Sequence, residues 1–281
     1  MTAQQSLPRC PIAPKPDLVP LTGGYRRTPV LQAGADLYCD TGLIVRELER
    51  RAPTPTLYPP AQSAMADAIA YWAENRLMRP ITLYVSGMNL DHLPAGLQAD
   101  RSVMRGLPPP DEATMRRAAL RNAPLVRAQL PAIESMLSDG REWIAGPAPC
   151  VADLAVYHPL WFFTARTDLL AHELAPYPFI ADWMARVRAI GHGTHTPMAP
   201  ARALEIARNA VPLAPEPSTP WPEDPPLGAD VRIRADDYGR DVVNGELVHA
   251  GIDEIAVRRS DPIVGTVVVH FPRLGYDLRA A

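Results

Sequence analysis

Hydrophobic positions along this chain change their spacing three times, and each change predicts a different kind of element. A short apolar run at Pro29, Val30 and Leu31 is followed by Ala33-Gly34-Ala35-Asp36 and a second run at Leu37-Tyr38. Two short runs around a glycine turn predict a β-hairpin. Helical spacing starts directly afterwards, with Asp40 or Thr41 as the N-cap and Ile44, Val45 and Leu48 on one side. The charges of Arg46, Glu47, Glu49 and Arg50 then fall mostly on the outer side, and the helix ends by Pro53.

Beyond the prolines at 53, 55, 59 and 60, apolar residues recur at three and four. Met65, Ile69 and Trp72 open a region that reads as all-helical. Its clearest stripe is Val126, Leu130, Ile133 and Leu137, stopped by Gly140, and a later helix carries Phe179, Trp183 and Val187 before Gly191. Pro124 and Pro131 interrupt the first stretch, which predicts a kink or an early helix start there.

From Pro212 to Pro226 prolines are so frequent that neither helix nor ladder bonds can form, and the segment reads as an extended, semi-rigid spacer. After it the period becomes two. Val231/Ile233, Val242-Val243, Leu247/Val248, Ile255/Val257 and Val267/Val269 cluster as short strands, and Asn244-Gly245 suits a hairpin turn. The result is a predicted five-stranded β module of about 50 residues.

These patterns together give a multidomain α+β chain. The divisions fall at residues 1–58 for an α/β fragment, 59–210 for an all-α domain, 211–228 for the proline-rich linker and 229–281 for a small β-barrel-like module.

Composition narrows the function classes. With 47% hydrophobic and 21% charged residues among 281, the chain is globular. A formal charge of -3 offers no field for phosphate backbones, so nucleic acid is not an expected partner. Only Lys15 among the 28 basic residues is a lysine, a bias of the kind that high-GC bacterial genomes produce. No window reaches the roughly 18 apolar residues that span a bilayer, so no membrane partner is expected. Cys10, Cys39 and Cys150 are far apart and form no C-x-x-C pair, which fits a reducing cytoplasm and neither disulfides nor zinc.

The stretch from Leu21 to Thr41 resembles the second half of the thioredoxin-like N-terminal domain of the glutathione S-transferase superfamily. That resemblance implies a cis peptide at Thr28-Pro29, and a strand in which the backbone of Val30 pairs with the cysteinyl segment of glutathione. It implies equally that Asp40-Thr41, at the start of the next helix, holds the γ-glutamyl end. A helix N-terminus favours a carboxylate, and an acidic side chain can meet the ammonium. Trp143 to Gly146, Cys150-Val-Ala-Asp153 and Tyr177-Pro178 through Trp183 resemble the family's helical C-domain. Cys150 stands where that pattern has Ser or Thr as N-cap, while Asp153 can still reach back to its N-H. The resemblance covers about residues 10 to 210 and leaves the β module outside.

Pro29, Val30, Asp40 and Thr41 are therefore the expected glutathione-binding residues, and glutathione, as co-substrate without a metal, is the expected cofactor. The implied activity is transfer of the glutathione thiolate to a small electrophilic molecule. The alternative is a non-catalytic binding or scaffold protein whose β module engages another partner. Family members place a strand, a helix and the catalytic Ser, Cys or Tyr ahead of the position of Pro11-Ile12, so that residue is expected upstream of Met1, with the true start of the gene lying further upstream than this sequence's. A homodimer is likewise what the resemblance implies.

Other polar groups read as structural. Tyr25, Arg26 and Arg27 form a solvated basic loop, His192 and His195 lie in a loop without further metal ligands, and Asp236, Asp237 and Asp241 around Tyr238-Gly239 form a turn. Cys39 is expected in the core as a small hydrophobe.

Overall fold

The computed structural model describes residues 15–93, 96–165 and 167–281. The candidate residue Cys10 and the pair Pro11-Ile12 lie outside them. In chain order the elements begin with α1 (Val19–Thr22), β1 (Val30–Ala33), β2 (Asp36–Cys39) and α2 (Thr41–Arg51). The helices α3 (Ser63–Trp72), α4 (Met78–Met88), α5 (Leu97–Arg105), α6 (Glu112–Arg127), α7 (Leu130–Leu137), α8 (Val151–Trp161), α9 (Pro178–Ile190) and α10 (Pro200–Asn209) follow. Strands β3 (Asp230–Ala235), β4 (Val243–Ala250), β5 (Glu254–Asp261), β6 (Gly265–Pro272) and β7 (Tyr276–Ala280) close the chain.

Two compact units result. One gathers the described residues up to Leu48 with Gly96–Pro109 and Thr196–Ala281, and the other is Glu49–Ala95 with Pro110–His195. These units are drawn differently from the division read from the sequence, since the strands of 229–281 share a sheet with the hairpin. The hairpin and the last five strands form one seven-stranded sheet in the order β1-β2-β6-β5-β4-β3-β7. Strand β2 runs parallel to β6, with Asp36 opposite Val268 and Tyr38 opposite His270.

The physical reason is a shared core. Leu37 and Cys39 alternate inward from β2, and they are covered by Val257, Val269 and Phe271 from the later strands. A two-stranded hairpin alone buries too little to stand by itself. The proline-rich stretch is bonded to the sheet along its length. The Leu213 N-H donates to Asp36, the Glu216 carbonyl lies 3.0 Å from His249 Nδ1, and Ser218 Oγ accepts from the Ala250 N-H. Further on, the Arg273 guanidinium lies over the Trp221 ring and bonds Asp224 at 2.6 Å.

Five strands do follow residue 228, but their limits differ from the predicted ones. Asn244-Gly245 lies inside β4 and not in a turn, with Asn244 opposite Arg232 and Gly245 opposite Val231. A Cβ on Gly245 would meet the Arg258 carbonyl oxygen of β5 at 2.5 Å, so glycine is there to admit the neighbouring backbone. The fifth strand is β7, which the sequence pattern did not single out.

In the helical unit Val126, Leu130, Ile133 and Leu137 are all buried, as their spacing predicts. Pro124 is carried inside α6, and Pro131 sits in the first turn of α7, where its missing N-H costs nothing. Trp183 and Val187 of α9 are buried, but Phe179 is 43% exposed and Ile180 takes the inward place. Similarly Met65 is exposed while Ala66 and Ala70 face in. Small residues there let α3 pack on α8. A π-helical turn over Ala73–Leu77 joins α3 to α4, ahead of Pro80, whose ring cannot accept the regular ladder.

Asp153 organises this unit. It is 0% exposed, and its carboxylate accepts from the Cys150 N-H at 2.9 Å, the Ile144 N-H at 2.8 Å and Trp183 Nε1 at 2.8 Å. Cys150 and Asp153 form both halves of a capping box, the Asp153 carboxylate reaching back to the Cys150 N-H and the Cys150 sulfur taking the Asp153 N-H.

Candidate functional site

The hairpin register assembles the candidate site. Val30 lies opposite Cys39 in the antiparallel pair β1/β2, so Thr28-Pro29 and Asp40-Thr41 flank the same end of the hairpin. The Thr28-Pro29 peptide is cis. Pro29 and Thr41 are exposed, and Val30 and Asp40 are half-buried. Among the described residues β1 is the edge strand of the sheet, so one row of its main-chain groups faces away from β2. Helix α2 begins at Thr41, directly after β2, and of the first-turn N-H groups that lie outside its own ladder that of Gly42 bonds Asp40.

Asp40 is held in an uncommon way. Its φ of 76° is left-handed, a conformation that aspartate tolerates better than most residues but that still needs support. Its Oδ1 accepts from the Gly42 N-H at 3.1 Å, its carbonyl accepts from the Ile44 N-H at 3.0 Å, and its Oδ2 lies 3.2 Å from the hydroxyl of Tyr276. The Tyr276 hydroxyl is also 3.2 Å from that of Tyr25.

Behind Asp40 the environment is apolar. Tyr25, Phe271 and Tyr276 pack ring against ring, with Tyr25 and Phe271 edge-on at 5.8 Å. Burial pushes the Tyr25 hydroxyl well above the usual phenol range, with the Cys39 thiol adding to it. Burial, then Tyr25 and Asp40, does the same to Tyr276. Both hydroxyls stay protonated and can donate. The Cys39 thiol is pushed well up by burial and by Asp40, so it is an inert core group, as its strand position predicts.

Arg26 and Arg27 are not a solvated loop. Arg26 pairs with Asp241 at 3.2 Å, and Arg27 pairs with Asp237 while lying over the Tyr238 ring at 4.2 Å. The acidic turn at 236–241 is thus the counter-charge of the segment that leads into the cis peptide. Burial pulls against the Arg27 charge, yet Asp237 more than offsets it and its pKa is raised.

Helix α2 presents a different face from the expected one. Leu43, Ile44 and Glu47 are buried and Leu48 is 47% exposed, because the inward row follows Asp40 at spacings of three and four. His192 and His195 are exposed, and among the described residues no three His, Cys, Asp or Glu side chains converge on a metal geometry. Nor is any helix among them long and apolar enough to cross a membrane.

Tyr276 is the residue that sequence reasoning missed. The only local signal was its alternation with Leu278 in a short terminal run, and nothing there points to a residue 236 positions earlier.

The sequence model of the glutathione S-transferase C-terminal domain matches residues 117–186. No curated protein matches the chain. Among solved structures, a GST-like protein from Pseudomonas syringae superimposes with a TM-score of 0.78 at 36% identity, covering 95% of this chain and 87% of that one. A glutathione S-transferase from Rhodospirillum rubrum matches with a TM-score of 0.47 at 21% identity, over 66% of this chain and 79% of that one. Glutathione S-transferase-I bound with the ligand lactoylglutathione matches with a TM-score of 0.44 at 18% identity, over 58% and 69%. An identity of 36% along nearly the whole chain, with a helical domain of the matching kind, establishes that this α+β protein belongs to the glutathione S-transferase superfamily.

Proposed function

We propose that the chain binds glutathione at the end of the β1/β2 hairpin and serves its transfer to a small electrophile. The observation that carries this reading is the hairpin register, which sets the edge backbone of Val30 and the start of α2 at Asp40-Thr41 at the same end of the hairpin. Val30 would pair with the cysteinyl backbone, the opening turn of α2 with Thr41 would take the γ-glutamyl carboxylate, and Asp40 would meet its ammonium. In the transfer step the glutathione thiol loses its proton, the thiolate forms a carbon-sulfur bond with the electrophile, and a leaving group departs or a double bond takes up the electron pair. A homodimer in a reducing, cytoplasmic setting belongs to the same proposal.

A second reading, a glutathione-binding scaffold without catalysis, has one observation in its favour. Among the described residues the Tyr25 and Tyr276 hydroxyls are already engaged with one another and with Asp40, and the Cys39 thiol is buried and pushed well up. Retention on immobilised glutathione, lost in Asp40→Ala or Thr41→Ala, supports binding, and failure of the unaltered chain to be retained overturns it. A thiol-transfer assay with an aryl halide then decides between the two readings.

A further inference from the structure

Strand β7 ends the chain, yet its first residue reaches the hairpin. Tyr276 comes 236 positions after Asp40 and sets its hydroxyl 3.2 Å from Asp40 Oδ2. An ionised carboxylate only accepts hydrogen bonds and has room for about four. The Gly42 N-H occupies one place on Oδ1 and Tyr276 one on Oδ2, which leaves two places for a ligand. Because the carboxylate cannot donate, the single hydroxyl proton of Tyr276 goes to Asp40, and Tyr25 is left to donate to the Tyr276 oxygen.

This arrangement is built and not incidental. Tyr276 opposes Ala235 in the β3/β7 ladder, and its ring packs on Phe271 at 5.3 Å and on Tyr25 at 6.4 Å. The phenol cannot swing away without emptying that packing. On the other side, Asp40 has a left-handed backbone, and its carboxylate orientation is fixed by what it bonds.

We propose that Tyr276 is a positioning residue for ligand recognition: it holds the Asp40 carboxylate so that its free lone pairs face the ammonium of a γ-glutamyl group. The strands after the family's helical domain thereby complete the binding site on the hairpin. The inference rests on the glutathione-binding reading and is separable from it.

The test is calorimetric titration of the full chain with glutathione and with deamino-glutathione, which keeps every group except the ammonium. The unaltered protein is expected to prefer glutathione, and Tyr276→Phe is expected to lose about tenfold in glutathione affinity, the scale of a hydrogen bond to a charged group, with deamino-glutathione unchanged. Equal weakening for both ligands, or no weakening, overturns the role of Tyr276. If the unaltered protein binds neither ligand, the glutathione reading itself falls. Tyr25→Phe leaves the bond from Tyr276 to Asp40 in place and should keep the preference. Loss of the preference in that variant also overturns the assignment, and it does so even if Tyr276→Phe fails to fold.

Discussion

The imidazole of His270 stacks on the phenol of Tyr38, with ring centroids 4.3 Å apart and planes 16° from parallel. The two residues are direct partners in the parallel β2/β6 ladder, so the stack marks the seam where the hairpin meets the late strands. It also aims the ring nitrogens. His270 Nε2 lies 3.1 Å from Asp36 Oδ1, and Nδ1 lies 2.5 Å from Glu254 Oε1. Ionised carboxylates only accept, so both nitrogens donate and the ring is an imidazolium. Burial pulls its pKa down, but the bonds to Asp36 and Glu254 outweigh that, and the pKa is raised.

A raised folded pKa has a definite consequence for stability. The contribution of His270 is fully present below its unfolded value of about 6.5 and is lost as pH rises through the higher folded value. Urea unfolding of the protein and of His270→Gln should therefore show the largest gap in stability at low pH and a narrowing gap above about pH 6.5. A gap that is constant, or that widens as pH rises, would contradict the imidazolium.

Asp153→Ala leaves four buried donors without this partner: the N-H groups of Cys150 and Ile144, the Cys150 thiol and Trp183 Nε1. Each buried orphan costs about 1–3 kcal/mol, so the helical unit should lose about 3 kcal/mol or more. Asp153→Asn keeps one acceptor for Ile144 and Trp183, and its loss should be smaller. Denaturant midpoints followed by tryptophan fluorescence report both, since Trp183 is itself in the network.

At positions 244 and 245 the strand assignment and a turn make opposite forecasts. Within a strand, exposed Asn244 is dispensable, and Asn244→Ala should change stability by less than about 0.5 kcal/mol. Gly245→Ala puts a Cβ 2.5 Å from the Arg258 carbonyl oxygen and should cost about 1–3 kcal/mol by forcing β4 and β5 apart. A type I′ turn would instead make the asparagine as costly to replace as the glycine. Thermal melts of the two variants decide between them.

These sites also mark what the sequence could and could not disclose. The helix stripe from Val126 to Leu137 was legible because four apolar residues at helical spacing admit one reading. The hairpin was legible from its turn, and the candidate site residues lie within a few positions of it, all local in sequence. Asn244-Gly245 misled because its turn preference is local, while its glycine answers to a backbone from another strand. The joining of 229–281 to the hairpin was out of reach for the same reason. It depends on parallel pairing between residues such as Tyr38 and His270, and on the core around Leu37, and neither leaves a periodic trace. Tyr276 is the sharpest instance, since no strand was read at its position and nothing local there points to Asp40.

Thiol chemistry gives a last discriminating measurement. Burial pushes the Cys150 thiol up to about 11, with Asp153 adding to it, and Cys39 is likewise pushed well up by burial and by Asp40. The thiolate is the form that alkylates, and at pH 8 it is about a thousandth of Cys150. Iodoacetamide at that pH should leave the peptides containing Cys39 and Cys150 unmodified in the native protein and label both after denaturation. Peptide mapping distinguishes them from Cys10. Rapid native labelling of Cys39 would mean that the thiol next to Asp40 is accessible and ionised. It would then be a candidate for the cysteine chemistry that the buried, upward-shifted thiol argues against, and the case for a scaffold without catalysis would lose its main support.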